Sequence, residues 1–252
     1  VCGRRAVAAL HLLDRLRPPD SCVNLLCLWW KAISGEARGS PTYDGGCALS
    51  LLPPVTRWLV AWPLSRLYPL LHHQNVAMRT AFLDAAVASE AASPLHRHGN
   101  RRPRVVVLGA GYDMRAMRLR ELPVEAWYEI DLPGVAEAKG RLIEERVRRR
   151  RPDLLVGGPP RLIGGNMSVH LEQTECLARA CEGADSVILV VEALLIYLSE
   201  ESALRLLSEA IRISRENGRS VSVCFADRLP GVNGTDVPTE LLKTLQLEIV
   251  EY

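Results

Sequence analysis

The ten residues Val105-Val-Val-Leu-Gly-Ala-Gly-Tyr-Asp-Met114 decide the fold. A β-branched run stops at Gly109-Ala-Gly111, and a second short apolar run leads to two acids, Glu129 and Asp131. That order describes a parallel α/β sheet whose first turn brings a ligand against bare backbone, with a carboxylate waiting at the end of the next strand. A pyrophosphate-binding turn takes a third small residue three positions past Gly111, where this chain has Met114. A nucleoside ligand without pyrophosphate, such as S-adenosylmethionine, does not need it. The turn therefore favours a methyltransferase over a dinucleotide enzyme.

Working outward, strands are expected at Arg104–Leu108, Ala126–Ile130, Arg161–Ile163, Ser186–Val191 and Ser220–Phe225, with helices between them. Ser199 is placed to cap a helix over Glu200–Ser214, with Glu200 and Glu201 at its positive end and Asn217-Gly218 stopping it. A helix over Gly134–Arg150 ends in four arginines, Arg148 to Arg151. Glu144→Arg148 and Glu145→Arg149 pairs and the helix dipole explain them better than a nucleic-acid patch, since no aromatic residues interleave for stacking.

Before this alternation, residues 1–103 read as a helical cap and connector, with helices over Val1–Arg17, Trp58–Leu71 and Val76–Ala91 and a loop at Ser34–Gly46. The polar tract Ser93–Pro103 reads as the connector, and residues 104–252 as the α/β core, the two forming one integrated domain. The stretch Leu51–Leu71 is broken by four prolines and two arginines and is too interrupted to span a membrane. At 252 residues, with 48% hydrophobic and 24% charged residues, the chain can bury a full core. A net charge of +2 gives no general pull toward nucleic acid or anionic lipid. Seven cysteines without a CxxC pair indicate reduced, mostly buried thiols, a cytoplasmic setting and no metal site. The sequence starts at Val1, and Arg4 and Arg5 stand among residues 1–13 without an acid, so the natural beginning is expected to be missing and an organelle leader stays open.

Several motifs, in order, resemble the leucine carboxyl methyltransferases, a branch of the S-adenosylmethionine-dependent methyltransferases. They are Leu108-Gly-Ala-Gly-Tyr-Asp113 with Met117-Arg-Leu119, Tyr128-Glu-Ile-Asp-Leu-Pro133 with Lys139, and Val191-Glu-Ala-Leu-Leu-Ile-Tyr-Leu198. Upstream, Asn75-Val-Ala-Met-Arg-Thr80 resembles the family's arginine-bearing helix and Trp30-Lys-Ala32 its lysine-bearing segment. The resemblance implies a Rossmann-like class I methyltransferase sheet. It also implies a closing antiparallel strand pair, of which Leu245–Tyr252 reads as the first member with nothing after it, so the pair is expected to be incomplete.

The resemblance further implies roles. Gly109 and Gly111 would admit the cofactor against the backbone. Asp131 would accept the ribose hydroxyls, with Glu129 as its rival. Arg79, assisted by Lys31, would neutralise the methionine carboxylate. Glu192, ending the fourth strand, would face the cofactor, and Tyr197 would line the pocket or pack, with no firm catalytic residue among them. Where the family commonly has Asp-Leu-Arg at the adenine, this chain has Asn166-Met-Ser168; Asn166 would accept a bond from the exocyclic amine and Met167 would pack on the ring. His72 and His73 are the candidate bases worth naming, and the lack of a better one favours a carboxylate acceptor, on a small molecule or a protein C-terminus, over an alcohol. A monomer is expected. A nicotinamide-dependent oxidoreductase and a catalytically inactive methyltransferase-fold scaffold are the rival readings.

Overall fold

The computed structural model describes residues 24, 27–32, 47–52, 70–96, 102–217, 220–227 and 239–248. The helices expected over Val1–Arg17 and Trp58–Leu71 and the loop Ser34–Gly46 lie wholly or almost wholly outside these residues. Five strands form one parallel sheet in the order β3-β2-β1-β4-β5: β1 (Arg104–Leu108), β2 (Ala126–Asp131), β3 (Arg161–Gly164), β4 (Ser186–Glu192) and β5 (Ser220–Ala226). Each begins where the sequence places it and runs one residue further in four of the five cases. β1 is central and buried throughout, which is why it reads as an unbroken β-branched run.

Helices cover both faces. Besides α1 (Cys47–Leu51), they are α2 (Leu70–Ala92), α3 (Arg115–Arg118), α4 (Pro133–Leu142), α5 (His170–Cys181), α6 (Glu200–Asn217) and α7 (Thr239–Leu245). Leu83, Val87 and Ala91 of α2 pack with Val105, Val107 and Trp127 on one face. Leu177 and Ala180 of α5 and Leu206, Ala210 and Ile213 of α6 pack with Val106, Leu108, Ile130 and Leu189 on the other. The strand order turns back between β1 and β4, so the sheet opens a crevice at their carboxyl ends, where α/β sheets bind ligands.

Local chemistry explains the helix ends. The Ser199 hydroxyl oxygen accepts from the Ser202 amide at 3.2 Å, the N-cap geometry that starts α6. The Gly134–Arg150 segment is helical, but α4 gives way to a π-helical turn at Ile143–Val147 before a last α-turn at Arg148–Arg150. Arg148 grips Glu144 through two bonds of 2.6 and 2.9 Å at the exposed end.

Within the Ser93–Pro103 connector, Pro94–His96 form a 3₁₀ turn, and the buried His96 ring bonds Ser222 at 2.8 Å and Glu90 at 3.1 Å. One expectation is corrected: Leu245 ends a helix rather than starting a strand. The Leu247 amide donates to the Leu242 carbonyl and the Gln246 amide to that of Lys243, while Gln246 takes φ +54, a Schellman-type stop. Leu245 is buried in the core beside α6. The short apolar alternation from Leu245 onward misled, because such runs do not separate strand from helix by periodicity. The rest of that stretch, residues 249–252, lies outside the described residues.

Among the described residues no helix is long and apolar enough to cross a membrane.

Candidate functional site

At the carboxyl ends of β1, β2 and β4 a cavity of about 420 Å³ is lined by Lys31, Arg79, Gly109, Gly111, Asp131, Asn166, Met167, Glu192 and Tyr197. The structure thus gathers residues spread over more than half the sequence around one crevice. Glu129, the rival to Asp131, does not line it.

The glycine turn is closely covered by Leu194 and Asn24. Gly109 and Gly111 both take left-handed backbone, φ +62 and +50. A Cβ on Gly109 would sit 2.7 Å from Leu194 Cδ1, and one on Gly111 would sit 2.5 Å from Asn24 Oδ1. The left-handed backbone disfavours a side chain at both positions, and a Cβ would also require Leu194 or Asn24 to move. Asp131, the last residue of β2, binds this turn: Oδ2 accepts from the Gly111 amide at 2.6 Å and Oδ1 from the Leu132 amide at 2.7 Å. A carboxylate oxygen can accept more than one such bond.

Glu129 lies deeper on the same strand face. It is 2% exposed and pairs with Lys139 of α4, which also donates to the Asp113 carbonyl. This buried pair ties β2, α4 and the glycine turn together from behind. Burial pushes the Glu129 carboxyl up to about 7, against the pull of Lys139. Its Oε1, without a hydrogen-bond partner among the described residues, works in the same direction.

The raised value has a consequence for stability. An acid whose folded pKa exceeds its unfolded one takes up a proton on folding, so stability falls as pH rises through the window between them. For Glu129 that window runs from about 4.5 to about 7. Denaturant unfolding at several pH values is expected to show this decline in the native protein and a flatter profile in Glu129→Gln.

A network of charges surrounds Glu192 at the other end of the cavity. Its Oε1 accepts from Arg79 Nε at 3.0 Å, and its Oε2 from Arg115 at 2.9 Å and from Lys31 Nζ at 3.5 Å. Burial favours the neutral acid, but Lys31, Arg115 and Arg79 outweigh it and pull the Glu192 carboxyl down to about 2. Arg115 is fully buried and also grips Asp113 and, at 2.7 Å, Asp84. Arg118 holds Asp84 through a fork of 2.6 and 2.7 Å. Burial likewise pushes Asp113 toward its neutral form, and Arg115 with its neighbouring cations overcomes this and holds it well below the usual carboxylate range.

Four cations, Lys31, Arg79, Arg115 and Arg118, thus face three carboxylates, Asp84, Asp113 and Glu192. Of the four cations, Lys31 and Arg79 line the cavity, while Arg115 and Arg118 lie behind it. Arg79 uses only its Nε among the described residues, which leaves its two terminal nitrogens available, and Lys31 has one long bond. The side chains of His72 and His73 lie outside the described residues.

The adenine-side expectation needs correction. Asn166 Oδ1 already accepts from the Ser168 amide at 3.0 Å and the Ser168 hydroxyl at 2.7 Å. The amide donor fixes which side-chain atom is the oxygen, and both of its lone pairs are taken. What Asn166 still offers is its NH₂, a donor, so it cannot serve an exocyclic amine as expected. An Asp here would add a second, free acceptor oxygen. Asn166→Asp is therefore expected to bind S-adenosylhomocysteine several-fold more tightly, read by titration calorimetry. Met167 is buried at the cavity wall, whereas Tyr197 is 69% exposed at its mouth.

Sequence reading assigned no role to Asp84, Arg115, Asn24 or Asp227, although all contact the turn, the network or the cavity wall. One signal was available. Asp84 interrupts the apolar stretch from Phe82 to Val87, and an acid on a buried helix face requires a cation.

Over residues 25–211 the sequence matches the leucine carboxyl methyltransferase family. Proteins of Mycobacterium marinum and Mycobacterium ulcerans, both provisionally named S-adenosyl-L-methionine-dependent methyltransferases, are 30% identical over 160 residues and 29% identical over 155. The matches take in 62% and 60% of this chain and 44% and 43% of those proteins. The chain therefore spans about half the length of the curated relatives it matches. Among solved structures, the magnesium protoporphyrin IX methyltransferase of Synechocystis PCC 6803 with bound S-adenosylmethionine aligns at 13% identity over 58% of this chain and 60% of that one, with a TM-score of 0.38. A mitomycin 7-O-methyltransferase aligns at 16% identity over 86% and 55%, with a TM-score of 0.37. Those scores are low, and the weight rests on the family match, which extends from the Lys31 segment through β4 and most of α6. The chain belongs to the leucine carboxyl methyltransferase family, a family of S-adenosylmethionine-dependent methyltransferases.

Proposed function

We propose that the protein transfers a methyl group from S-adenosylmethionine to a carboxylate oxygen, on a small molecule or a protein C-terminus. The observation that carries this reading is the pairing of two unlike ends in one cavity. At one end a side-chain-free turn is braced by Asp131; at the other, Arg79 and Lys31 bring spare donors and positive charge. A ribose hydroxyl pair suits the first and an amino-acid carboxylate suits the second. A dinucleotide lacks the amino-acid end.

When bound, S-adenosylmethionine supplies a sulfonium methyl already activated for displacement. The work left to the chain is alignment and exclusion of water. Asp131 would fix the sugar, and Arg79 and Lys31, themselves held by Glu192, the amino-acid end, so the methyl–sulfur bond would point one way. Positioning of this kind supplies about 7–11 kcal/mol of a barrier. Asp113 and Glu192 are committed to cations, and among the described cavity residues there is no histidine. A carboxylate acceptor fits that setting, since it is a nucleophile without losing a proton and its methyl ester forms with no proton to place.

The test is transfer from methyl-labelled S-adenosylmethionine to a panel of small carboxylic acids and peptide C-termini. A methyl ester releases labelled methanol in mild base. Product label that withstands base would overturn the carboxylate assignment, and absence of S-adenosylhomocysteine binding would overturn the cofactor assignment.

A further inference from the structure

The backbone leaves β4 through a residue that resists the shape it takes. Ala193, directly after Glu192, has φ +51, the left-handed region that a side chain bearing a Cβ rarely adopts. From there the chain enters the 3₁₀ turn Leu195–Tyr197. The conformation matters to the cavity. It lays Leu194 against Gly109, and it brings Ala193, Leu194, Tyr197 and Leu198 to the wall.

Something must hold the turn in place. Ala193's own amide makes only a long bond, 3.4 Å, to the Ala226 carbonyl. The next two amides, of Leu194 and Leu195, converge on one oxygen, Asp227 Oδ2, at 2.5 and 2.7 Å. Asp227 follows the last residue of β5, whose Ala226 is in register with Glu192. The neighbouring strand therefore delivers its carboxylate to the point where β4 bends away. Two charge-assisted bonds to one oxygen act as a cap on the short turn.

We propose that Asp227 is a positioning residue of the cofactor pocket, holding the strained Ala193 turn in the shape that places Leu194 over Gly109 and Glu192 among its cations. It does so without touching the ligand. Residues that keep disfavoured backbone in place cluster at binding sites, where the surrounding structure over-determines them. The inference rests on the cofactor reading above for its ligand, and its test separates the two.

The full chain and four variants are compared by S-adenosylhomocysteine titration and thermal midpoint: Asp227→Ala, Asp227→Asn, Ala193→Gly, and Asp227→Ala combined with Ala193→Gly. Asp227→Ala is expected to weaken binding about tenfold, the scale of a lost helix cap. Asp227→Asn keeps an oxygen able to accept both amides and is expected to stay within about twofold of the native chain. Glycine adopts φ +51 freely, so Ala193→Gly is expected to restore most of the affinity lost in Asp227→Ala. A side chain that merely supports the fold would not be rescued by relaxing the backbone of another residue. Native affinity in Asp227→Ala, failure of Asn to substitute, or failure of Gly to rescue would each overturn the proposal.

Should Asp227→Ala not accumulate, Asp227→Ser, whose shorter side chain cannot serve both amides, takes its place and is expected to bind more weakly than Asp227→Asn. Should the native chain bind no S-adenosylhomocysteine, the cofactor reading fails, and the midpoints decide. A deficit in Asp227→Ala that shrinks in the Ala193→Gly background upholds the coupling, and an unchanged deficit removes it.

Discussion

Arg115→Met is expected to destabilise the protein by about 3–5 kcal/mol, the cost of removing one partner from a buried ion pair. Arg115 is 0% exposed and contacts three carboxylates, Asp84, Asp113 and Glu192. Its loss would leave Asp113 with no side-chain cation within bonding distance among those described, while Asp84 retains Arg118, and Glu192 retains Arg79 and Lys31. Domains are stable by only about 5–15 kcal/mol, so this one change removes a large share. In a chain of this size it corresponds to a fall in thermal midpoint on the order of 10 °C. Arg115→Lys keeps the charge and loses the planar fork, and a smaller loss is expected. Scanning calorimetry measures both. A midpoint for Arg115→Met within two or three degrees of the native value, on the order of 1 kcal/mol, would show that the network contributes little.

The same network predicts acid sensitivity, and the direction follows from Glu192. Its folded pKa, about 2, lies below the ordinary 4.5, so its contribution is complete above 4.5 and is lost as pH falls toward 2. Glu129 acts oppositely, lowering stability between about 4.5 and about 7. The two buried carboxylates thus act in opposite directions on either side of about pH 4.5.

The second large effect concerns binding rather than folding. Asp131→Ala is expected to weaken S-adenosylhomocysteine at least about 100-fold while shifting the thermal midpoint by only a few degrees. Hydrogen bonds to a charged group are worth about 1.5–3 kcal/mol each, and two ribose hydroxyls would lose theirs together. The Gly111 amide would also lose its acceptor, loosening the turn that the ligand lies against. Asp131→Asn, with one acceptor oxygen in place of two, is expected to fall between. Titration calorimetry gives the affinities, and an Asp131→Ala affinity within threefold of native would separate this residue from the ligand.

The sheet was legible because β1 and β4 are buried on both faces and therefore read as unbroken runs ending in Gly109 and Glu192. Strand starts were legible too, whereas four of the five strands run one residue past the expected end. Gly109, Asp131 and Glu192 followed from topology, since whatever ends β1, β2 and β4 must meet at one edge, whereas Lys31, Arg79, Asn166 and Met167 came from the family resemblance. The supporting shell was not legible in the same way. Arg115 and Arg118 stand among alanine and methionine on a four-residue helix, and nothing local separates a buried arginine from an exposed one. Tertiary contacts decide it, with Asp84, 31 positions earlier, and Glu192, 77 positions later. Asn166 shows a different limit. Its residue type permitted an acceptor, but Ser168, two residues on, takes that oxygen first. Asp227 was hidden because its role depends on the left-handed backbone of Ala193, and an alanine gives no sign of left-handed backbone as a glycine does.

Parallel calorimetric titration of the full chain with S-adenosylhomocysteine and with NAD asks whether the crevice beside Gly109 and Asp131 takes an adenosyl amino acid or a dinucleotide. Saturable one-to-one heat with S-adenosylhomocysteine, and none with NAD, is the predicted result; heat with NAD alone, or with neither, would contradict the account.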